Sequence, residues 1–188
     1  AGRRLASALT HRDFRLLWGG ALGSNIGTWM QKVAQAWLIT TLAGANSAFF
    51  LGLDSLMGEL PILLLTLVGG VIADRKDRRQ LLLMSQYTQM TTAFVLALLV
   101  YLDVIQVWHV LALSAVTGVA QAFGGPAYQS LIPQLVSKEN LPNAIALNSI
   151  QFNLARIIGP LIAGAALTAF GMVACFGLNG VSFLFVIA

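Results

Sequence analysis

Long apolar runs dominate this sequence and restrict what it can fold into. A helix needs roughly 20 mostly apolar residues to cross the hydrocarbon core of a bilayer. Six runs reach or approach that length, at approximately residues 14–42, 47–73, 81–102, 104–136, 142–170 and 172–188. Strands of a membrane barrel would alternate apolar and polar residues over about ten positions, and these runs do not alternate. The sequence therefore predicts an all-α membrane protein with six transmembrane helices.

Composition favours this class over a soluble one. Hydrophobic residues make up 57% of the 188 positions and charged residues only 10%, whereas soluble proteins average about 25% charged residues. The net charge is +4, and the basic residues lie in short gaps between apolar runs. That placement suits an anionic membrane surface better than nucleic acid. We expect the lipid bilayer as a partner, and no nucleic acid, metal or cofactor.

The single cysteine and the two ends of the chain give further expectations. Cys175 lies in an apolar stretch and is expected to be an inert small hydrophobic residue. The first apolar run is too long and too polar for a cleavable signal. Because the chain begins at Ala1 rather than Met and ends inside an apolar run at Ala188, we expect a fragment that lacks its C-terminal part.

Basic residues give the expected orientation, since cytoplasmic loops carry an excess of Lys and Arg. With the N-terminus in the cytoplasm, nine basic residues near the ends of the spans lie inside and none lies outside. They are Arg3, Arg4, Arg12, Arg15, Arg75, Lys76, Arg78, Arg79 and Lys138. The charged segment 74–79 is then a short cytoplasmic loop between the second and third spans.

A weak internal repeat is also visible. Pro61 in the second run and Pro160 in the fifth lie ninety-nine positions apart, and Trp18 and Trp108 lie ninety apart. With three spans in each unit, the second copy would be inverted in the membrane, which is common in secondary transporters. We expect two inverted three-helix repeats.

The segment "GVIADRKDRR", residues 70–79, resembles the loop signature of the major facilitator superfamily, G-x-x-x-D-[RK]-x-G-R-[RK]. The matching residues are Gly70, Asp74, Arg75, Arg78 and Arg79, while Asp77 stands in place of the second glycine. "FRLLWGGALGSNIGTWMQ" and "LPNAIALNSIQFNLARIIGPLIAG" are similar to the enterobactin-exporter-like branch of bacterial efflux permeases. The resemblance covers the whole chain. It implies the N-terminal six-helix half of a twelve-helix transporter in the bacterial inner membrane, with the C-terminal six-helix half as its partner.

The resemblance also implies roles for the loop. Asp74 is expected to latch the two halves together on the cytoplasmic side, with Arg75, Arg78 and Arg79 beside it. Gly70 is expected to let helices approach closely at the membrane face. The alternative is a solvated basic loop that only fixes topology.

A second resemblance lies in the fifth span. Antiporters of the superfamily carry G-x8-G-x3-G-P-x2-G-G there, and this chain has small residues or proline at each of those positions. These are Ala146, Ala155, Gly159, Pro160, Ala163 and Gly164. Close packing at Gly159 and Gly164 and a bend at Pro160 are therefore expected. By alignment on Gly118, Ser114 stands where the superfamily has an intramembrane arginine tied to proton coupling, so the coupling mechanism does not follow from the resemblance.

Polar residues inside the spans mark a candidate transport path. An ionisable side chain costs at least about 2.5–3.5 kcal/mol at mid-membrane and usually faces a cavity or a partner. The ionisable residues are Lys32, Asp54, Glu59 and Arg156, and the polar residues predicted to line the same path are Asn25, Gln35, Gln121 and Asn153. Their helical spacing predicts polar stripes on several helices around one wet cavity.

Alternatives remain open for each charge. Glu59 is the first candidate for a proton or substrate site, although a fixed ion pair that closes the bundle fits equally well. Asp54 lies nearer the outer face, where it would also suit a snorkelling or loop-capping role. Lys32 and Arg156 would attract an anionic substrate, such as a catecholate or carboxylate.

These observations predict proton-coupled efflux of a small amphipathic molecule, drug-like or siderophore-like, by alternating access. An uptake symporter or passive facilitator is one alternative, and a non-transporting membrane receptor or scaffold is another. An enzyme is disfavoured, because His11 and His109 are predicted on opposite sides of the membrane and no cluster of Cys, His and Asp occurs.

Overall fold

The computed structural model describes residues 7–75 and 77–187, except for the side chains of residues 73–75. Within that part of the chain every regular element is a helix. The α-helices are α1 (Arg12–Ala43), α2 (Ser47–Arg75), α3 (Arg78–Tyr101), α4 (Val107–Leu135), α5 (Leu141–Ser182) and α6 (Leu184–Ile187). Short 3₁₀ turns lie at Ser7–Thr10, Gly44–Asn46 and Lys138–Asn140. The helices coincide closely with the apolar runs.

Four stretches of the described chain are long and apolar enough to cross a membrane. They are Arg12–Ile72, Arg78–Tyr101, Val107–Leu135 and Lys138–Ile187. The first has 61 residues and the last 50, far more than the roughly 20 that one crossing needs.

Each of the two longest stretches is interrupted at a glycine with a positive φ. Gly44 has φ 52°, and Gly171, inside α5, has φ 77° and ψ −178°, conformations that residues with a Cβ rarely adopt. At Gly44 the chain reverses, so that α1 and α2 pair as a hairpin. At Gly171 α5 divides into α5a, residues 141–170, and α5b, residues 172–182. Gly159 of α5a and Ser182 of α5b both pack on α1, so the chain doubles back between them.

Asp77 caps the N-terminus of α3, the helix that follows the charged loop. Its carboxylate accepts hydrogen bonds from the backbone N–H groups of Arg79, at 2.9 Å, and Gln80, at 3.3 Å. Helix N-termini leave such N–H groups without partners in the helix, and aspartate is among the best caps for them. The departure from the glycine of the loop signature therefore supplies the N-cap of α3.

Glycines permit two close contacts between helices. A Cβ at Gly159 would collide with the Trp29 side chain and lie 2.9 Å from the backbone oxygen of Ile26, so α5a presses on α1. A Cβ at Gly118 would collide with the backbone oxygen of Gly58, so α4 presses on α2. Small residues permit such contact between membrane helices.

Two other glycines lie in open space within the described chain. No described atom outside their local helix lies within 4 Å of a Cβ built on Gly70 or Gly164. The close approach expected at Gly70 is made instead by its neighbour Gly69, where a Cβ would collide with the backbone oxygen of Ala122. In α5a the close approach is made at Gly159.

The largest apolar core joins α1, α3, α4 and both parts of α5. Its buried members are Met30, Ala34, Leu38, Ile39, Leu96, Ala97, Val110, Ala163, Ala166, Cys175 and Phe176. Cys175 is fully buried there. A second cluster packs the 3₁₀ turn at the N-terminus against α1, α4 and α5a through Ala8, Phe14, Ile132 and Ala144.

Candidate functional site

An ion pair joins α1 to α2 within the apolar part of the hairpin. The Nζ atom of Lys32 lies 3.7 Å from Oε1 of Glu59. Both side chains remain open to their surroundings, with 56% and 67% of their surface exposed. The pair therefore lies on an open face of the helices rather than in a closed core.

Two cations lie over the ring of Trp29. Lys32 Nζ is 5.0 Å from the centroid of its ring, and the guanidinium carbon of Arg156 is 5.5 Å away. Both distances are within the range of cation–π attraction. Phe152 meets the same ring edge-on, with the centroids 6.0 Å apart and the planes at 73°. The contact between Gly159 and α1 places the α5a residues Phe152 and Arg156 this close to Trp29.

A groove of about 430 Å³ runs from Trp29 along α1. It is lined by Trp29, Lys32, Val33, Ala36, Trp37, Thr40 and Pro160. The groove is open along the helix surface rather than enclosed, and its volume lies within the range of about 300–1,000 Å³ found for small-molecule sites. The walls are mainly aromatic and aliphatic, and the ammonium group of Lys32 lies in its lining.

A second polar cluster lies beside the ion pair and joins three helices. The amide nitrogen of Gln35 donates to both carboxylate oxygens of Asp54 at 2.9 Å, and to Ser114 Oγ at 2.8 Å. Ser114 in turn donates to Asp54 Oδ1 at 2.5 Å. Asp54 is thus held by side chains from α1 and α4, not by a loop.

The exposed face that carries Lys32, Glu59 and Arg156 is not suited to lipid. Each charge at mid-membrane would cost at least about 2.5–3.5 kcal/mol against hydrocarbon. Many of the other exposed residues of α2 are leucines, including Leu63, Leu64 and Leu67. The charged face therefore fits a water-filled or protein-covered space.

Two of the other polar residues predicted for the path have separate partners. Gln121 accepts a hydrogen bond from Gln89 of α3 at 3.2 Å, away from the ion pair. Asn153 donates to the backbone oxygen of Ser149 in its own helix at 2.8 Å. Asn25 is half-buried on α1. The structure thus groups Lys32, Glu59 and Arg156, and separately Gln35 and Asp54.

The charged loop is only partly described. Arg78 donates from Nη1 to the backbone oxygen of Ser130 at 3.4 Å, which connects the start of α3 to α4. Arg79 is exposed, and its backbone N–H is held by Asp77. The side chains of Asp74 and Arg75, predicted as the latch, lie outside the described residues.

The role of Trp29 in the site was missed from the sequence. Trp29 was not among the residues predicted for the path, but both cations lie over its ring. Ser114 shares the helical spacing of Gly118 and Gln121 on α4, which is the spacing of the predicted polar stripes, and it completes the Asp54 cluster. Nothing in the sequence pairs Trp29 with Arg156.

Buried polar residues on α3, α4 and α5a were also missed. Gln89 donates to Ser85 Oγ at 3.0 Å within the bundle. Tyr128 donates to Asn148 at 3.0 Å, next to the fully buried Gln151. Single polar residues in apolar runs were the available signal, but their burial depends on neighbours far away in the chain.

Known proteins similar to this chain are bacterial membrane proteins. A family model described as transmembrane secretion effector matches residues 5–188. The chain is 28% identical over 146 residues to the staphyloferrin A transporter of Staphylococcus aureus, 77% of this chain and 36% of the relative. It is 26% identical over 150 residues to macrolide efflux protein A of Streptococcus pyogenes, 80% of this chain and 36% of that protein.

The enterobactin exporter EntS of Citrobacter koseri is 29% identical over 163 residues, 85% of this chain and 36% of the exporter. The chain thus spans little more than a third of these relatives, which are named as transporter, efflux protein and exporter and not as enzymes. No solved structure matches. Its apolar helices and its bacterial relatives identify a multi-pass bacterial membrane protein. Since the family match extends over nearly the whole sequence, the chain belongs to the transmembrane secretion effector family of the major facilitator superfamily.

Proposed function

We propose that this chain is the N-terminal six-helix half of a twelve-helix secondary transporter that exports a small amphipathic molecule in exchange for protons. The N-terminus would lie in the cytoplasm and the protein in the inner membrane. The open charged face of α1, α2 and α5a would then line the central path, and the C-terminal half would cover it.

Helix packing supports six crossings arranged as two inverted repeats. If α1, α2 and α3 correspond to α4, α5a and α5b, the contact of α2 with α4 corresponds to that of α5a with α1. Both contacts are made at a glycine beside one of the prolines that lie ninety-nine positions apart. A Cβ at Gly118 would lie 3.2 Å from Cγ of Pro61, and Gly159, next to Pro160, packs on Trp29.

The observation that carries the proposal is the Lys32–Glu59 pair, with its atoms 3.7 Å apart on an open face. A carboxylate there can exchange a proton with a water-filled path, whereas one sealed in a core cannot. Relatives named for efflux and export favour outward movement of the solute. Their solutes differ, so the class of solute has to come from the site itself.

The full-length protein in proteoliposomes provides the test. Labelled enterobactin, staphyloferrin A and a macrolide serve as test solutes under an imposed pH gradient. We expect Glu59→Gln to abolish pH-driven movement and leave membrane insertion intact. The matched control is Glu139→Gln, since Glu139 is an exposed carboxylate in the turn before α5. Unchanged transport in Glu59→Gln would remove Glu59 from the mechanism.

An uptake symporter is the second candidate, and it differs in how protons affect solute binding. Exchange requires that proton and solute bind in turn, so lowering the pH should weaken solute binding. Cotransport requires that both bind together, so lowering the pH should strengthen it. Solute affinity measured at several pH values without a gradient separates the two, and a receptor would bind without any flux.

A further inference from the structure

We propose that Trp29, Arg156 and the groove along α1 form a binding site for an aromatic anion, such as a carboxylate or catecholate carried on a ring. The inference rests on the proposed transport function and specifies the chemical class of its solute. Three observations support it: the charges around Trp29, the partners that the nearby acids already have, and the shape of the groove.

The charges around Trp29 come from two cations and one acid. Lys32 and Arg156 both lie against the ring, and Glu59 is the acid within ion-pair distance of Lys32. Among the described residues, no carboxylate lies within 4.0 Å of Arg156. Among the described residues, Lys32 is thus paired with a carboxylate and Arg156 is not.

Asp54, the acid of the neighbouring polar cluster, is held by neutral donors and forms no ion pair with Lys32 or Arg156 among the described residues. Both carboxylate oxygens of Asp54 accept from Gln35, and one accepts also from Ser114. In the described part of the chain the Arg156 guanidinium has no hydrogen-bond acceptor, although it presents five N–H donors in a fork that matches a carboxylate. An anion of the solute would supply both the charge and the acceptors.

The groove supplies the apolar part of the site. Trp29, Val33, Ala36, Trp37 and Pro160 form its walls, and Trp37 is largely exposed in it. An aromatic ring can lie against these residues while its anionic group reaches the cations at the Trp29 end. A neutral solute would leave the Arg156 cation without compensation, and a cationic solute would meet repulsion.

The test is equilibrium binding to the full-length protein in nanodiscs, without any gradient. The probes are 2-naphthoate, its neutral counterpart 2-naphthamide and the cation 2-naphthylmethylammonium, which share one ring system. We expect naphthoate to bind about tenfold or more tightly than the amide, as one charge-assisted hydrogen-bonded pair would give, and the cation to bind most weakly. Equal affinity for the three probes would overturn the proposal.

Variants locate the site. Arg156→Gln should remove the preference for naphthoate over naphthamide, whereas Arg156→Lys should retain part of it. Trp29→Ala should weaken both probes, and Glu59→Gln should not weaken naphthoate, since it removes a negative charge from the site. Lys138→Gln, at an exposed cation in the turn before α5, is the matched control and should match the unmodified protein.

Retained binding of naphthamide shows that a variant is folded. If Arg156→Gln kept the full preference for naphthoate, Arg156 would not be the group that binds the anion. If Arg156→Gln does not fold, the comparison of the three probes on the unmodified protein still decides. Binding with the anion preference but without solute flux would refute transport and leave the site intact. Flux without the preference would refute the site and leave transport intact.

Discussion

The side-chain amide of Gln35 donates to both carboxylate oxygens of Asp54, at 2.9 Å each, and so ties α1 to α2 across the turn at Gly44. Ser114 joins the same carboxylate from α4. The hairpin of α1 and α2 and the helix α4, which is distant in the sequence, are thereby held at one point. Next to it, Lys32 and Glu59 join the same hairpin through an open ion pair.

Removal of Asp54 should destabilise this junction. In Asp54→Ala the Ser114 hydroxyl loses its acceptor and Gln35 keeps only Ser114 as a partner. Loss of an acceptor in a partly buried site typically costs about 1–3 kcal/mol. Thermal unfolding of the full-length protein in detergent measures the loss. The matched control is Ser55→Ala, because the Ser55 hydroxyl is exposed and donates only to Leu51 of its own helix. An Asp54→Ala protein as stable as the control would show that the cluster does not hold the helices.

The cap of α3 offers a test with a graded result. Asp77→Ala removes the acceptor for two backbone N–H groups and should cost about 1 kcal/mol, while Asp77→Gly should cost only a few tenths. The glycine variant restores the residue that the loop signature has at this position. The unfolding midpoint should therefore be highest for the parent protein with Asp77, slightly lower for Asp77→Gly and lowest for Asp77→Ala. If the alanine variant were as stable as the parent, the cap would contribute nothing measurable.

The α1–α5a contact predicts a contrast between two glycines of the same helix. Gly159→Ala places a Cβ against Trp29 and the backbone of Ile26 and should cost about 1–3 kcal/mol through overpacking. Gly164→Ala meets no described atom within 4 Å and should be neutral or slightly stabilising, because alanine favours helix. Thermal unfolding of both variants makes the comparison, and equal losses would argue against the packing at Gly159. Because Gly159→Ala also shifts Trp29, it should weaken naphthoate binding.

The loop latch is tested by rate rather than by affinity. Asp74→Asn keeps the size of the side chain and removes its charge, so it should slow solute turnover in the full-length protein without weakening solute binding. Lys138→Gln, which changes a charge on the same proposed side of the membrane, is the control for an effect on surface potential. A turnover rate equal to that of the parent would leave the loop with a topological role only.

The proposed orientation is tested by labelling intact cells with an impermeant thiol reagent. A cysteine at position 77 should stay unlabelled, because the loop before α3 would face the cytoplasm. A cysteine at position 103, in the turn between α3 and α4 at the opposite membrane face, should react readily. Cys175 is fully buried and should add little background. Strong labelling of a cysteine at position 77 would contradict the proposed orientation, because the loop would then face the outside.

The sequence alone determined the helices and the family. Membrane helices satisfy their backbone hydrogen bonds within each segment, so length and hydropathy suffice to locate them, and the apolar runs coincide with α1 to α5. The loop signature at residues 70–79 and the similarity along the chain pointed to the superfamily that the family match shows. The charges inside the spans were visible because an ionisable residue in an apolar run is rare and costly.

Only the tertiary structure decided which polar residues meet and which glycines make close contacts. Whether Arg156 lies near Trp29 depends on how α5a rotates and slides against α1, and their contact joins positions more than a hundred residues apart. The same applies to Gly69 rather than Gly70, since one residue turns a helical side chain by about 100°. Helix periodicity gives the face that a residue occupies on its own helix, and it does not give the neighbour that this face meets.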